Sequence, residues 1–90
     1  MAVQTFLLIE TDRGEVKEIV GALRQLEGVI SAVPVSGPYD VIAVLEGDNL
    51  AVIGDLRNKI RQIDHVSKLV SCISLSWPSE SSIPSLALKN

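Results

Sequence analysis

Ninety residues make one domain, with a core small enough that association would support it. The chain is 47% hydrophobic and carries a net charge of −3, with one Phe, one Trp and one Tyr; this gives no electrostatic case for nucleic acid or an anionic membrane and offers little for stacking on bases. The lone cysteine, Cys72, excludes an internal disulfide and a Cys-based zinc site and favours a cytoplasmic setting, while no basic n-region opens the chain and no apolar run nears the roughly 20 residues of a membrane helix.

Ala2 to Thr11 is predicted to be a strand. Val3, Thr5, Leu7 and Ile9 point one way, and Gln4, Phe6, Leu8 and Glu10 the other. Both faces carry large apolar groups, so neither is expected to be fully solvated. Asp12 is placed to cap the helix that follows, with Glu15 completing a capping box. Val16, Ile19, Val20, Leu23 and Leu26 recur at helical spacing and should be buried, opposite Lys17, Glu18, Arg24 and Gln25. Gly28 fits the left-handed position that ends a helix.

Val29 to Val35 reads as a second strand, with Pro34 marking an edge or a bulge. Ser36-Gly37-Pro38 is a turn, and Tyr39 to Leu45 a third strand that alternates in the same way. After Gly47-Asp48-Asn49 a second helix is expected to bury Leu50, Ile53, Leu56, Ile60 and Ile63. His65 stands at its end, and Val66 to Ser76 is the fourth strand. From Trp77 the composition changes. Pro78 to Asn90 holds four serines and two prolines, with Ile83, Leu86 and Leu88 as its apolar handles. The expected division is therefore a domain over residues 1–76 and a tail over 77–90, either a frayed terminus or a segment that docks on a neighbouring subunit.

The chain also repeats itself. Ala22 to Val29 reads A-L-R-Q-L-E-G-V, and Lys59 to Val66 reads K-I-R-Q-I-D-H-V. Arg24-Gln25 aligns with Arg61-Gln62, and Gly28 with His65, a residue that tolerates the left-handed region better than most. Two copies imply a pseudo-two-fold domain, each half a strand, a helix and a strand. The order is βαββαβ. Right-handed crossovers then place both helices on one face of a four-stranded antiparallel sheet, an α+β, ferredoxin-like fold. Phe6, Leu8, Ile42 and Val44, or the set of opposite parity, are left as an apolar second face with no cover in this chain. The expected cover is a second copy, packed sheet to sheet in a two-fold dimer.

Candidate chemistry is sparse. Gly37-Pro38-Tyr39-Asp40 combines turn residues with a carboxylate at a sheet end, where a ligand ammonium can pair with it. Ser67, Ser71, Ser74 and Ser76 stud the last strand, as pocket hydroxyls or as plain ladder positions. Cys72 has no basic sequence neighbour to activate it and reads as a buried, inert thiol. His65 is the only histidine, which excludes a histidine-pair metal site within one chain. Arg57, Lys59, Arg61 and Lys68, mixed with Asp55 and Asp64, read as a solvated helix face. No phosphate-binding, dinucleotide or nucleophile-elbow motif occurs, so neither a cofactor nor a metal is expected.

Thr5 to Thr11, Ala22 to Val29, Gly37-Pro38-Tyr39-Asp40, Val41-Ile42-Ala43-Val44 and the second helix ending in Ile63 together resemble the C-terminal effector (RAM) domain of Lrp/AsnC-type regulators, over about residues 2 to 76. The resemblance implies a dimeric αβ barrel, further assembly into octamers or similar rings, and a small effector, commonly an amino acid, held between subunits. It places ligand contacts on Gly37, Tyr39, Asp40 and Ser71, and the dimer interface on Phe6, Leu8, Ile42 and Val44. In the last strand, where that family carries Thr-x-Thr, this chain has Leu69 and Ser71. The chain begins at the effector strand, without a helix-turn-helix segment before it. It is therefore expected to be a stand-alone module, with no direct contact to nucleic acid or membrane, acting through a full-length regulator or another partner. Two further readings are a purely structural assembly domain and a small dimeric αβ-barrel enzyme; the second lacks acid–base and aromatic candidates.

Overall fold

The structure is a computed structural model that describes residues 2–12 and 15–74. The tail expected over 77–90 and the hydroxyl of Ser76 lie outside the described residues. The elements are β1 (Val3–Thr11), α1 (Val16–Arg24), β2 (Val29–Pro34), β3 (Val41–Gly47), α2 (Leu50–Arg61) and β4 (Val66–Ile73). The four strands form one antiparallel sheet in the order β2-β3-β1-β4. This is the ferredoxin-like α+β arrangement that the alternating patterns and the repeat imply.

Strand alternation decides which side chains meet the helices. Thr5, Leu7 and Ile9 of β1 and Val41, Ala43 and Leu45 of β3 are fully buried, as are Leu23 of α1 and Ile60 of α2. Ile19, Val20, Ala32, Ile53 and Leu56 complete this core, with Val16, Leu26 and Ile63 partly buried against it. α1 packs chiefly on β2, and α2 on β3 and β4. The residues of opposite parity face away from both helices. Register puts Phe6 beside Val44 and Cys72, and Leu8 beside Ile42 and Val70, on that open side. Phe6 is 42% exposed there and Val33 44%. The first of the two parities considered for the uncovered face is therefore the correct one.

The repeat is reproduced bond for bond at the helix exits. Gln25 N–H donates to the Ala22 carbonyl at 3.2 Å and Gln62 N–H to that of Lys59 at 3.2 Å. Leu26 donates to Leu23 and Ile63 to Ile60, both at 3.0 Å, and Val29 to Leu26 at 3.2 Å and Val66 to Ile63 at 3.3 Å. Gly28 follows at φ +98° and His65 at φ +72°, the left-handed positions foreseen for them. Each then offers its carbonyl to the end of a neighbouring strand: Gly28 to Glu46 N–H at 2.8 Å, His65 to Asp12 N–H at 2.9 Å.

Four local expectations fail for identifiable reasons. Asp12 does not cap α1. Glu15 occupies the N-cap without a side-chain bond, and the Asp12 carboxylate instead accepts from His65 Nδ1 at 2.8 Å. The cap appears in the second copy, where Asn49 accepts from Val52 N–H at 3.0 Å. Leu50 is 57% exposed because it is the first residue of α2, at the rim of the sheet, one turn before the buried stripe begins at Ile53. Cys72 is exposed and not buried, because alternation along β4 turns it to the open face opposite Phe6. β4 stops at Ile73, and Ser74 closes it with a bond from its N–H to the Gln4 carbonyl at 2.9 Å. Pro34 ends β2, which is an edge strand, as its missing N–H requires.

Two substitutions test this packing. A Cβ on Gly28 would lie 2.9 Å from a Leu56 methyl and 3.3 Å from the Glu46 carbonyl, on a backbone that disfavours side chains. Gly28→Ala is expected to destabilise the protein by about 1–3 kcal/mol in denaturant titration. Thr5 is fully buried, and its hydroxyl finds no partner among the described residues. Thr5→Val keeps the shape and removes an unsatisfied polar group, so it should raise stability by about 1 kcal/mol in the same assay.

Candidate functional site

The two ends of the sheet differ. At one end the β2–β3 turn meets the end of β1 and the start of β4. Gly37 holds φ +149° in this turn with open space around it, so a backbone few other residues adopt is exposed where a ligand can approach. Tyr39 and Asp40 are half-buried. Asp40 is pinned to β1 on two counts. Its N–H donates to the Ile9 carbonyl at 2.9 Å, and its Oδ2 accepts from Thr11 N–H at 2.8 Å and from Thr11 Oγ1 at 3.2 Å. Its other oxygen, Oδ1, has no hydrogen-bond partner among the described residues. The carboxylate expected at the sheet end therefore has one of its two oxygens committed within the chain. Thr11 lies 29 residues away in sequence, and nothing local in the sequence signals that pairing.

Ser71 lies elsewhere. Register sets it opposite Leu7, four residues along β1 from Thr11, which at about 3.3 Å per residue separates it from the Asp40 clasp by roughly 13 Å. It also points to the helix side of the sheet, where its hydroxyl accepts from Arg57 Nε at 2.8 Å. Arg57 further donates to the Leu69 carbonyl at 3.2 Å. This removes Arg57 from the solvated face on which the sequence placed it: it is half-buried and ties α2 to edge strand β4. Lys59, Arg61 and Lys68 are exposed, as expected. In the first half of the chain Arg24 makes the matching contact. Its guanidinium donates to the Ala32 carbonyl at 3.1 and 2.8 Å, and Ala32 is the repeat equivalent of Leu69. Both edge strands thus have a main-chain acceptor satisfied by an arginine from the overlying helix, a protection for otherwise open edges.

At the opposite end of the sheet a cleft of about 500 Å³ opens between the α1–β2 link and α2, bordered by Glu27, Glu46, Asp48, Asp55 and Lys59. A second groove of about 710 Å³ runs along α1 between Lys17, Arg24 and Pro34. Neither is lined by Gly37, Tyr39, Asp40 or Ser71. The residues singled out from the sequence thus fall into two groups. Gly37, Tyr39 and Asp40 share one sheet end, while Ser71 sits with Arg57 on the flank of β4. No group of three or more metal-ligating side chains occurs among the described residues. No helix among them is long and apolar enough to cross a membrane.

Comparison with known proteins places this architecture. The family model described as the Lrp/AsnC ligand binding domain matches residues 4–84. No curated protein matches the chain in sequence. Among solved structures, the hypothetical protein PHS023 from Pyrococcus horikoshii is 28% identical with a TM-score of 0.76, over 83% of this chain and 92% of that one. AsnC from E. coli is 23% identical with a TM-score of 0.77, over 84% of this chain and 52% of that one. The transcriptional regulator NMB0573 from Neisseria meningitidis, solved as a complex with L-Met, is 17% identical with a TM-score of 0.74, over 96% of this chain and 58% of that one. The chain thus spans nearly all of the Pyrococcus protein and a little over half of the two others. With a family match over most of its length and the sheet order and helix placement described above, this chain belongs to the Lrp/AsnC ligand-binding domain family.

Proposed function

We propose that this chain is an effector-binding and oligomerisation module related to transcriptional regulators. In this reading it assembles as a two-fold dimer and holds a small amino acid between subunits. It acts by associating with a DNA-reading regulator of its family or another partner, without touching nucleic acid itself and without catalysing a reaction. The observation that carries the ligand half is Asp40. Its carboxylate sits at the sheet rim beside a glycine turn, with one oxygen bonded to Thr11 and the other unpartnered among the described residues. A ligand ammonium can form a charge-assisted hydrogen bond there without breaking the clasp. The L-Met bound by a regulator of the same fold supports an amino acid as the ligand class.

The assembly half rests on the open sheet face. Phe6, Leu8, Ile42 and Val44 lie on its two central strands, flanked by Val33 and Val70. Fully burying one such side chain contributes about 1.5–3 kcal/mol; these are already partly covered, so each would contribute less. A second copy laid sheet to sheet covers all four at once and supplies a small domain with the apolar burial it lacks. The alternative of a purely structural assembly domain has its own observation: Asp40 and Ser71 are each already bonded within the chain, to Thr11 and Arg57.

Two measurements test the proposal. Light scattering at micromolar concentration should report a dimer or a multiple of one, and Ile42→Lys should abolish it by forcing a charge into a desolvated interface; a folded monomeric parent protein would end the assembly reading. For the ligand, thermal-shift screening of the common L-amino acids should find one that raises stability, since a ligand of the native state must do so. Asp40→Asn should then leave the oligomer intact and weaken that ligand by about 1.5–3 kcal/mol in calorimetry. Unchanged affinity would remove Asp40 from the site.

A further inference from the structure

The end of β1 is held less by the sheet than by side chains. Its pairing with β3 stops at Ile9 and Val41. Its pairing with β4 slips between Glu10 and Thr11: Glu10 lies opposite Lys68 and Thr11 opposite Val66, so Ser67 is an extra residue on β4. The Ser67 hydroxyl closes this bulge by donating to the Glu10 carbonyl at 3.0 Å. Thr11 and Asp12 therefore lie past the last β3 pair and past a break in the β4 pairing. Two clasps hold them. Asp12 N–H donates to the His65 carbonyl at 2.9 Å, and His65 Nδ1 bonds Asp12 Oδ1 at 2.8 Å, so main chain and side chain join the same two residues. Beside this, Thr11 N–H and Oγ1 both donate to Asp40 Oδ2, at 2.8 and 3.2 Å. The clasps fall on consecutive residues with a planar peptide between them, so fixing Asp12 leaves Thr11 little freedom.

We infer that His65 is a positioning residue for the Asp40 carboxylate. Through Asp12 it fixes the exit of β1, and Thr11 in that exit binds Oδ2 of Asp40 and leaves Oδ1 to a ligand. This rests on the reading of Asp40 proposed above and adds to it what sets the carboxylate's aim. The line of contact runs from the α2–β4 turn through the end of β1 to the β2–β3 turn, three segments that meet at one end of the sheet. A carboxylate whose orientation is set before a ligand arrives loses less freedom on binding. The repeat shows that the left-handed turn does not need the imidazole. Gly28 stands at the equivalent point, at φ +98° against +72° for His65, and its carbonyl serves a neighbouring strand in the same way. Glycine adopts that backbone more readily than histidine. What histidine adds at the second point is the bond to Asp12.

Amide exchange and carboxyl chemical shifts, read by NMR on the full chain, test this without a ligand. His65→Gly places the repeat's other residue at this point, keeps the turn and removes only the imidazole. It should speed exchange of the Thr11 amide about ten-fold or more relative to amides in the middle of β1, such as that of Leu7, and shift the Asp40 Cγ resonance. His65→Asn tolerates the left-handed backbone and retains a side-chain N–H, so it should restore most of both signals. Asp12→Ala should match His65→Gly, and the two together should do no more than either, because they remove one clasp. Parent values for the Thr11 amide and the Asp40 resonance in both single variants would overturn the assignment. So would faster exchange spread evenly through β1, the mark of general destabilisation. Calorimetry then uses any L-amino acid that binds the parent. His65→Gly should weaken it about three-fold to ten-fold, His65→Asn should stay near the parent, and in an Asp40→Asn background His65→Gly should cost nothing further. A ligand weakened by Asp40→Asn and untouched by His65→Gly would overturn the role of His65 and spare Asp40. One untouched by both would remove Asp40 from the site and His65 with it. If no L-amino acid bound the parent, the effector reading would fall and this assignment with it.

Discussion

The structure depends on a sheet that the described residues cover on one side only. Thr5, Leu7 and Ile9 of β1 and Val41, Ala43 and Leu45 of β3 go under the two helices and are sealed there. Their neighbours in sequence, Phe6, Leu8, Ile42 and Val44, are driven by the same two-residue period to the other side, where the described residues form no second layer. In a small domain this is a large share of the available apolar surface, and it is the face that the proposed dimer would cover. Cys72 shares the consequence. Its thiol is exposed in the protomer because its strand neighbours alternate, and it stands on the surface that assembly would cover.

The internal repeat explains how so short a sequence builds two crossovers. Each copy ends its helix with the same three main-chain bonds and the same left-handed residue, Gly28 or His65. The copies differ where the contacts are made by side chains. In the second copy Asn49 caps its helix; in the first, Asp12 is turned to the imidazole of His65, 53 residues away in sequence. The Asp12 carboxylate accepts from the His65 Nδ1 at 2.8 Å in place of a main-chain amide of the helix. Gly28 and His65 both hold the left-handed turn, but His65 also does what glycine cannot: its imidazole binds the Asp12 carboxylate just after β1.

The same division applies to the arginines. Arg24 and Arg57 both reach from a helix to a main-chain acceptor on an edge strand, at equivalent carbonyls of Ala32 and Leu69. They come from different helical turns, however, and only Arg57 reaches a hydroxyl as well. Symmetry in the backbone is thereby combined with asymmetry in the side chains.

The fold was legible in the sequence because it is set by local periods. Alternation in β1 and β3, helical spacing through Ile19, Val20 and Leu23 and through Ile53, Leu56 and Ile60, and turn residues at Gly28 and Gly37 are each readable within a few residues. The repeat then fixed the pairing of the halves. Helix ends were read less well: Leu50 fits the apolar stripe but lies at the first helical position, and periodicity carries no information about where the sheet beneath a helix stops. The site was legible only as residue types. A carboxylate after a Gly-Pro turn marks a sheet rim, yet its bond to Thr11, the Asp12–His65 pair and the hold of Arg57 on Ser71 join residues 29, 53 and 14 positions apart. Such contacts depend on which strands become neighbours and on the side to which each residue points. Only the tertiary structure decides that, because hydrogen-bond geometry is a matter of a few tenths of an ångström between groups that no local pattern relates.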